Sequence, residues 1–185
     1  MDADWEVEIG GGAPVIEAEW PGFVDLRSYP ERVSEIAEAA ACSPLTALLL
    51  AMNAATSPLW TSKCDVWEPE PGALACYIDM LPVEGRVFAD WKRAEAFCRQ
   101  YVTRLNSKRS GGPGSGSERA SEDSITLVVR QAVAGKAEGF GITTYLTAKA
   151  VDPGDAVAVL RCVMATFANA LPLAMPPATG GSTLK

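Results

Sequence analysis

Residues 139–171 read GFGITTYLTAKAVDPGDAVAVLRCVMATFANAL, and this stretch decides the fold of the chain. Apolar and small or polar residues alternate from Phe140 to Thr147, which is the pattern of a strand with two different faces. The DPGD sequence at 152–155 then favours a helix start, because aspartate caps free backbone N–H groups and proline suits the first helical position. Apolar residues follow at steps of three and four from Val157 to Leu171, which places them on one stripe.

The opposite side of this helix is also mostly apolar, and Arg161 is its only charged residue after the first turn. A helix that is apolar nearly all round is usually covered on more than one side. We therefore expect it to be either the central helix of the domain or one half of a subunit contact, and we expect a homodimer.

The same strand, turn and helix pattern occurs earlier in the chain. Alternation over residues 74–81 predicts a strand, and Trp91 opens a helix whose apolar positions continue to Leu105. A further strand precedes each unit, at 61–68 and at 124–134. These two units predict at least four strands and two long helices.

The N-terminal residues predict a hairpin. Residues 5–9 alternate apolar residues with glutamates, residues 10–12 are glycines, and residues 16–20 alternate again. Pro30 and Pro44 suit the first positions of two further helices. The sequence thus predicts an α+β fold in the order ββααββαββα, with a mainly antiparallel sheet of about six strands and helices on one face.

Two closer descriptions of this order remain open. In one, the chain consists of three strand-strand-helix units, and the N-terminal hairpin belongs to the first. In the other, the chain from its second strand onward is a ferredoxin-like core, β-α-β-β-α-β, with added strands. In both, residues 1–171 form a single domain with a flexible internal loop at 106–122, and residues 172–185 form a poorly ordered tail.

Charge is distributed unevenly along the 185 residues, whose net charge is −7. Residues 1–90 carry 16 acidic and 4 basic side chains, whereas residues 91–185 carry 7 acidic and 12 basic ones. The two halves are expected to attract each other within one chain or between copies. The acidic total argues against general nucleic-acid binding, which needs a basic surface.

The chain has no pattern typical of secretion or of membrane insertion. The N-terminus lacks a basic and apolar signal segment, and polar residues and a proline interrupt the most apolar run, at 156–175. We therefore predict a cytoplasmic protein. Its five cysteines lack zinc-site spacing and indicate no metal or cofactor, and we interpret Cys76, Cys98 and Cys162 as reduced core residues.

The absence of histidine removes Ser-His-Asp and Cys-His catalysis and histidine metal sites. An enzyme built from the remaining residues could use Asp65 or Asp79 as a general base, Lys63 as an electrostatic stabiliser and Cys64 as a nucleophile. Lys63 does not activate Cys64 in this arrangement, because neighbours on a strand point to opposite faces.

One face of the predicted sheet collects side chains typical of binding surfaces. In the strand at 61–68, alternation directs one set toward the helices and the other set outward. The outward set joins residues of later strands in a candidate ligand- or partner-binding face: Lys63, Asp65, Trp67, Tyr77, Asp79, Arg130 and Tyr145. Aromatic residues and arginine are enriched where proteins bind partners. The N-terminal hairpin or a second subunit covering this face is the other interpretation.

Charged faces offer further contacts. Four glutamates share the polar face of the predicted hairpin, so this face is either solvated or meets a basic partner or a divalent metal. The helix after Trp91 has a basic face, which is either solvated or docks an acidic partner such as the hairpin of another copy.

These observations lead to two functional hypotheses. The first is a non-catalytic cytoplasmic interaction module that self-associates and binds a protein partner without a cofactor. The second is a small-molecule-binding protein, or an enzyme that works without histidine, with a pocket around Lys63, Asp65, Trp67, Tyr77 and Asp79.

Overall fold

The structure is a computed structural model that describes residues 1–109 and 122–171. The predicted tail at 172–185 and residues 110–121 of the predicted loop lie outside the described residues. The rest of that predicted loop is regular structure, because residues 106–109 continue a helix and residue 122 begins a strand.

The described residues form an α+β fold in the predicted order of elements. The strands are β1 (Asp2–Val7), β2 (Ile16–Glu17), β3 (Leu59–Glu70), β4 (Ala73–Pro82), β5 (Glu122–Ala134) and β6 (Ala137–Lys149). The α-helices are α1 (Ala37–Ala41), α2 (Ser43–Met52), α3 (Trp91–Arg109) and α4 (Ala156–Ala170). Short 3₁₀ helices at Pro30–Glu35 and Pro153–Asp155 precede α1 and α4.

All six strands belong to one sheet in the order β1-β5-β6-β4-β3, and β2 also pairs with β5. The pairs β3–β4, β4–β6 and β5–β6 are antiparallel, whereas β1 and β2 both run parallel to β5. The sheet is therefore mixed rather than purely antiparallel, and its antiparallel part consists of the two hairpins and the contact between them.

The prediction of an N-terminal hairpin is wrong. β1 pairs with residues 124–129 of β5 and β2 with residues 132–133, so the two segments follow each other along one edge of β5. The 13 residues of β5 offer a longer edge than either segment alone, and pairing with β5 joins both segments to the large sheet. The intervening glycines, with φ of 140° at Gly10 and 92° at Gly12, let the chain leave the edge and rejoin it.

The two closer descriptions of the fold each hold in part. β3-β4-α3 and β5-β6-α4 are hairpins followed by a helix, but the N-terminal strands are not a third such unit because they do not pair with each other. β4 and β5 share one direction, and β6 lies between them, which is the split βαβ unit of ferredoxin-like folds. The predicted start of that core at the second strand is wrong, because β2 lies on the outer edge of β5 and not next to β3, β4 or β6.

Helix side chains and one side of the sheet form the main core. Cys76, Ile78 and Met80 of β4 point to this side, because alternate strand residues share a face. α4 lies between α2 and α3 and buries a stripe on the sheet, consisting of Ala156, Leu160, Val163, Met164, Phe167 and Ala170. We expected Val157 in this stripe and Cys162 on or beside it in the core. Both are exposed, because they lie on the side of α4 that faces away from the sheet.

Candidate functional site

The side of the sheet turned away from the helices, called the open face below, has a covered half and an uncovered half. Alternation places Tyr77 and Asp79 of β4 and Tyr145 of β6 on it. Residues 16–26, called the crossover segment below, pass over the end of the face where β5 finishes and β3 begins.

The crossover segment covers its half with a second, smaller core. Ile16 and Ala18 are buried there together with Trp60 of β3, and the ring of Phe23 meets the Trp60 ring edge-on with centroids 5.6 Å apart. The Ser62 hydroxyl donates to the Ala18 carbonyl at 2.7 Å. The other interpretation named the N-terminal hairpin as the cover; that hairpin does not form, and the crossover segment covers one half of the face.

Arg27, which directly follows the crossover segment, holds the chain in position by hydrogen bonds. Its guanidinium donates to the carbonyl oxygens of Ala54, Ser57 and Leu59 at 3.0–3.1 Å. Ala54 and Ser57 belong to the turn between α2 and β3, and Leu59 is the first residue of β3, so Arg27 ties the end of the crossover segment to the start of this strand.

The uncovered half carries three aromatic rings in a row across β3, β4 and β6. The ring centroids of Trp67 and Tyr77 are 6.4 Å apart, and those of Tyr77 and Tyr145 are 6.3 Å apart. Trp67 is 39% exposed, and both tyrosines are half-buried. Burial and the nearby carboxylates raise the pKa of Tyr77 to about 12. The structure thus brings together the three aromatic residues that the sequence indicated.

Asp79 is the buried carboxylate of the open face, with only 6% of its surface exposed. The hydroxyl of Thr143 on β6 donates to Asp79 Oδ1 at 2.6 Å. Burial raises the pKa of Asp79, and the Thr143 bond together with the positive charges of Arg130 and Lys63 opposes this rise only in part. The Thr143 contact was not predicted, because it depends on the register of β4 with β6.

Asp65 and Lys63 lie on β3 in different surroundings. Asp65 is exposed and stands directly opposite Tyr77, and its Oδ1 accepts the backbone N–H of Val66 at 2.7 Å. The β3–β4 register shifts between residues 61 and 64, and Lys63 reaches the crossover segment with its Nζ 5.5 Å from the Trp20 ring centroid. Lys63 therefore marks the boundary between the two halves.

Arg130 occupies the same boundary on β5. Its Nη2 and Nε donate to Glu8 Oε2 at 2.7 and 3.1 Å, and its guanidinium carbon lies 5.7 Å from the Tyr145 ring centroid. Burial alone would lower the pKa of Arg130, but the hydrogen bonds to Glu8 and Tyr145 raise it, so the guanidinium keeps its positive charge. The Glu8 partner was not predicted, because the hairpin interpretation placed that residue elsewhere.

Acidic residues of β1 border the uncovered half. Trp5 and Val7 pack toward the helices, so the alternate residues Asp4, Glu6 and Glu8 belong to the open face. The predicted single face of four glutamates is not formed, because Glu19 lies in the crossover segment and pairs with Arg86 at 2.6 Å. Among the described side chains, acidic groups outnumber cations on the open face, with Asp2, Asp4, Glu6, Glu8, Asp65, Glu70 and Asp79 against Lys63, Arg130 and Lys149.

The structure does not assemble the catalytic arrangement considered from the sequence. Cys64 is half-buried on the helical side of the sheet, opposite to Asp65, and burial raises its pKa to about 12. A thiol with this pKa is a poor nucleophile near neutral pH. Two cavities of about 580 and 610 Å³ lie beside Met1 and Asp123, and none of the seven candidate residues lines them.

Within residues 1–109 and 122–171, no group of three or more acidic or cysteine side chains is arranged to hold a metal ion. No helix in this part of the chain has both the length and the apolar character needed to cross a membrane. Comparison of the chain with protein-family models, curated proteins and solved structures finds no match. Function is therefore inferred from the open face itself.

Proposed function

We propose that this chain is a non-catalytic interaction module that binds a protein partner on the uncovered half of the open face. The observation that carries this proposal is the aromatic row of Trp67, Tyr77 and Tyr145, which remains accessible although the crossover segment covers the rest of the face. Clustered exposed aromatic residues are typical of binding surfaces, where tryptophan and tyrosine contribute most of the affinity. The surrounding carboxylates would form the polar rim of such an interface.

The raised pKa of Asp79 also favours a second candidate, a small-molecule site, because perturbed carboxyl groups are common at such sites. The partner-binding proposal explains more of the face. It uses Trp67 and Asp65, which are exposed, whereas a small ligand is usually buried for most of its surface.

Self-association through α4 is the second part of the proposal. The outer side of α4 exposes Val157, Ala158, Cys162 and Ala165, and Arg161 is the charged residue among them. Two copies of this side would bury apolar surface in a two-fold symmetric contact. We place the module in the cytoplasm, where an exposed thiol such as that of Cys162 stays reduced.

Sedimentation velocity tests this self-contact. We expect a dimer at about 100 µM that Ala165→Glu converts to a monomer, because the new carboxylate would be buried in the contact. The matched control is Ala89→Glu, which adds the same charge at an exposed turn position. A monomer at this concentration, or a dimer that Ala165→Glu leaves intact, would count against the α4 contact.

Site-specific photo-crosslinking tests partner binding. A photoreactive phenylalanine analogue at position 67 should capture a protein in the producing cells that the same analogue at position 29 does not, since Tyr29 is 52% exposed but lies away from the row. The captured protein, once purified, should bind the chain with an affinity that Trp67→Ala lowers at least about tenfold. The proposal fails if both positions capture the same proteins, or if the purified protein binds Trp67→Ala as tightly as the parent chain.

A further inference from the structure

The uncovered half of the open face has a charge and a spacing that define the chemistry of its partner. We infer that the partner presents an extended basic segment with arginines at alternate positions, which crosses β4 and β3 with its guanidinium groups over Tyr77 and Trp67. This inference rests on the proposed partner binding and adds the chemical class of the partner.

The charge of the face favours a cationic occupant. Seven described carboxylates face three cations, and two of these cations are already paired, Arg130 with Glu8 at 2.7 Å and Lys149 with Glu70 at 2.8 Å. The third, Lys63, lies over Trp20 at the boundary with the crossover segment. Among the described residues, Asp65 has no cationic partner within ion-pair distance, although it stands directly opposite Tyr77. Asp65 is the exposed carboxylate that stands beside the accessible rings, whereas Asp2, Asp4 and Glu6 lie on β1 at the edge of the same face.

Arg130 shows how this face holds a guanidinium. It combines a carboxylate, Glu8, with the face of a ring, Tyr145, whose centroid lies 5.7 Å from the guanidinium carbon. Asp65 lies beside Tyr77 and Trp67, so a carboxylate and aromatic rings are combined again on β3 and β4. No arginine of the described chain occupies this second position. Arginine suits this position better than lysine, because its planar group stacks on a ring and bonds a carboxylate with two donors.

The distances between rings set the spacing of the cations. Successive centroids in the row are 6.3 and 6.4 Å apart. In an extended chain, side chains two residues apart point to the same side and are separated by about 6.6–6.8 Å. A segment running across the strands would therefore bring alternate side chains over successive rings. Adjacent residues point to opposite sides and could not meet two neighbouring rings together.

Other occupants fit the face less well. Nucleic acids and acidic membrane surfaces would be repelled by the excess of carboxylates. A second copy of the chain could present the basic face of α3, but the exposed charges there, Lys92, Arg99 and Arg104, follow helical rather than extended spacing. Arg99 is also paired with Glu95 at 2.9 Å within its own helix.

The test compares two peptides of identical composition, with the core sequences RSRSR and RRSSR, each acetylated, amidated and labelled with fluorescein. Only RSRSR has arginines two residues apart. Anisotropy titrations are run at about 50 mM salt, where exposed charges are weakly screened. We expect RSRSR to bind about two- to fivefold more tightly than RRSSR, the factor expected for one exposed cation–π contact. Higher salt should weaken both.

Variants of the chain locate the binding. Trp67→Ala and Asp65→Asn should each weaken the binding of RSRSR about two- to fivefold and reduce its advantage over RRSSR. Glu31→Gln is the matched control for Asp65→Asn, because it removes one exposed carboxylate from the 3₁₀ helix before α1. It should leave both affinities unchanged. Circular dichroism checks whether each variant is folded. If Trp67→Ala does not fold, Asp65→Asn still tests the face.

Three results would overturn the inference. Equal binding of the two peptides refutes the alternate spacing, and absence of binding by both refutes the basic partner. A chain dimer that Trp67→Ala disrupts would show that a second copy occupies the face. If both peptides fail but position 67 still captures a protein whose binding needs Trp67, the proposed function stands without this inference. If that capture also fails, both are wrong.

Discussion

Removal of one buried hydroxyl, by Tyr101→Phe, tests how α3 holds the central helix α4. Tyr101 is fully buried, and its hydroxyl donates to the carbonyl oxygen of Phe167 near the C-terminus of α4. The last four carbonyls of a helix lack partners within the helix, so this hydroxyl satisfies a group that would otherwise be buried without a donor. The two rings also pack edge-on, with centroids 4.8 Å apart.

The expected loss follows from these contacts. Tyr101→Phe keeps the ring packing and removes only the donor, and a buried carbonyl without a donor costs about 1–3 kcal/mol in the free energy of unfolding. For a chain of this size, that loss lowers the melting temperature by about 3–10 °C. Burial raises the pKa of Tyr101 well above its usual value, so the hydroxyl remains a donor at neutral pH.

Urea denaturation followed by far-ultraviolet circular dichroism measures this loss. Tyr29→Phe is the matched control, because Tyr29 is 52% exposed and the same change there should alter stability by less than about 0.5 kcal/mol. The dependence of stability on urea should be the same for both variants, since the fold is kept. If Tyr101→Phe is as stable as Tyr29→Phe, the hydroxyl does not hold α4 and this account of the helix contact is wrong.

Three further outcomes are expected. Burial raises the folded-state pKa of Asp79, so this group favours folding when it is protonated and loses that contribution as pH rises through its folded pKa. Asp79→Asn should therefore raise the free energy of unfolding at pH 7, measured by urea denaturation. A lower free energy of unfolding would contradict the direction of the pKa shift. A double-mutant cycle of Arg130→Met and Glu8→Gln should give a coupling of about 0.5–1 kcal/mol that falls with salt, whereas additive effects would mean that the pair contributes nothing. Thiol titration should modify Cys162 in the folded chain and Cys98 only after unfolding, since burial shields Cys98 and raises its pKa; equal rates would contradict the burial of α3.

The two hairpins and their helices could be predicted because their pairing is local. β3 with β4 and β5 with β6 are neighbours in sequence, and alternation then fixes which residues share a face. This was sufficient to bring Trp67 and Tyr77 together, whereas Tyr145 joins them only through the pairing of β4 with β6, which is not local. The exposed Cys162 escaped prediction, because α4 is apolar on two sides and its period does not say which side meets the sheet.

The N-terminal strands could not be predicted in the same way. The alternation of β1 is the same whether it pairs with a neighbouring segment or with β5, more than a hundred residues away. The contacts of Arg130 with Glu8 and of Asp79 with Thr143 depend on such registers, so they were missed. No periodic pattern in the sequence indicates that the crossover segment covers half of the open face.

Stability of the free chain does not explain the composition of the uncovered half. Asp79 is buried under conditions that disfavour its charge, and Trp67, one strand away, leaves 39% of its surface in water. An apolar partner would cover the indole but would bring no counter-charge to Asp79, whose burial Arg130 and Lys63 offset only in part. A cationic partner provides both a group to stack on the ring and a positive charge near the carboxylate, so it relieves the two costs together. The same reasoning predicts that a bound arginine peptide lowers the pKa of Asp79, which distinguishes a cation on the row from one held only by the exposed carboxylates of β1.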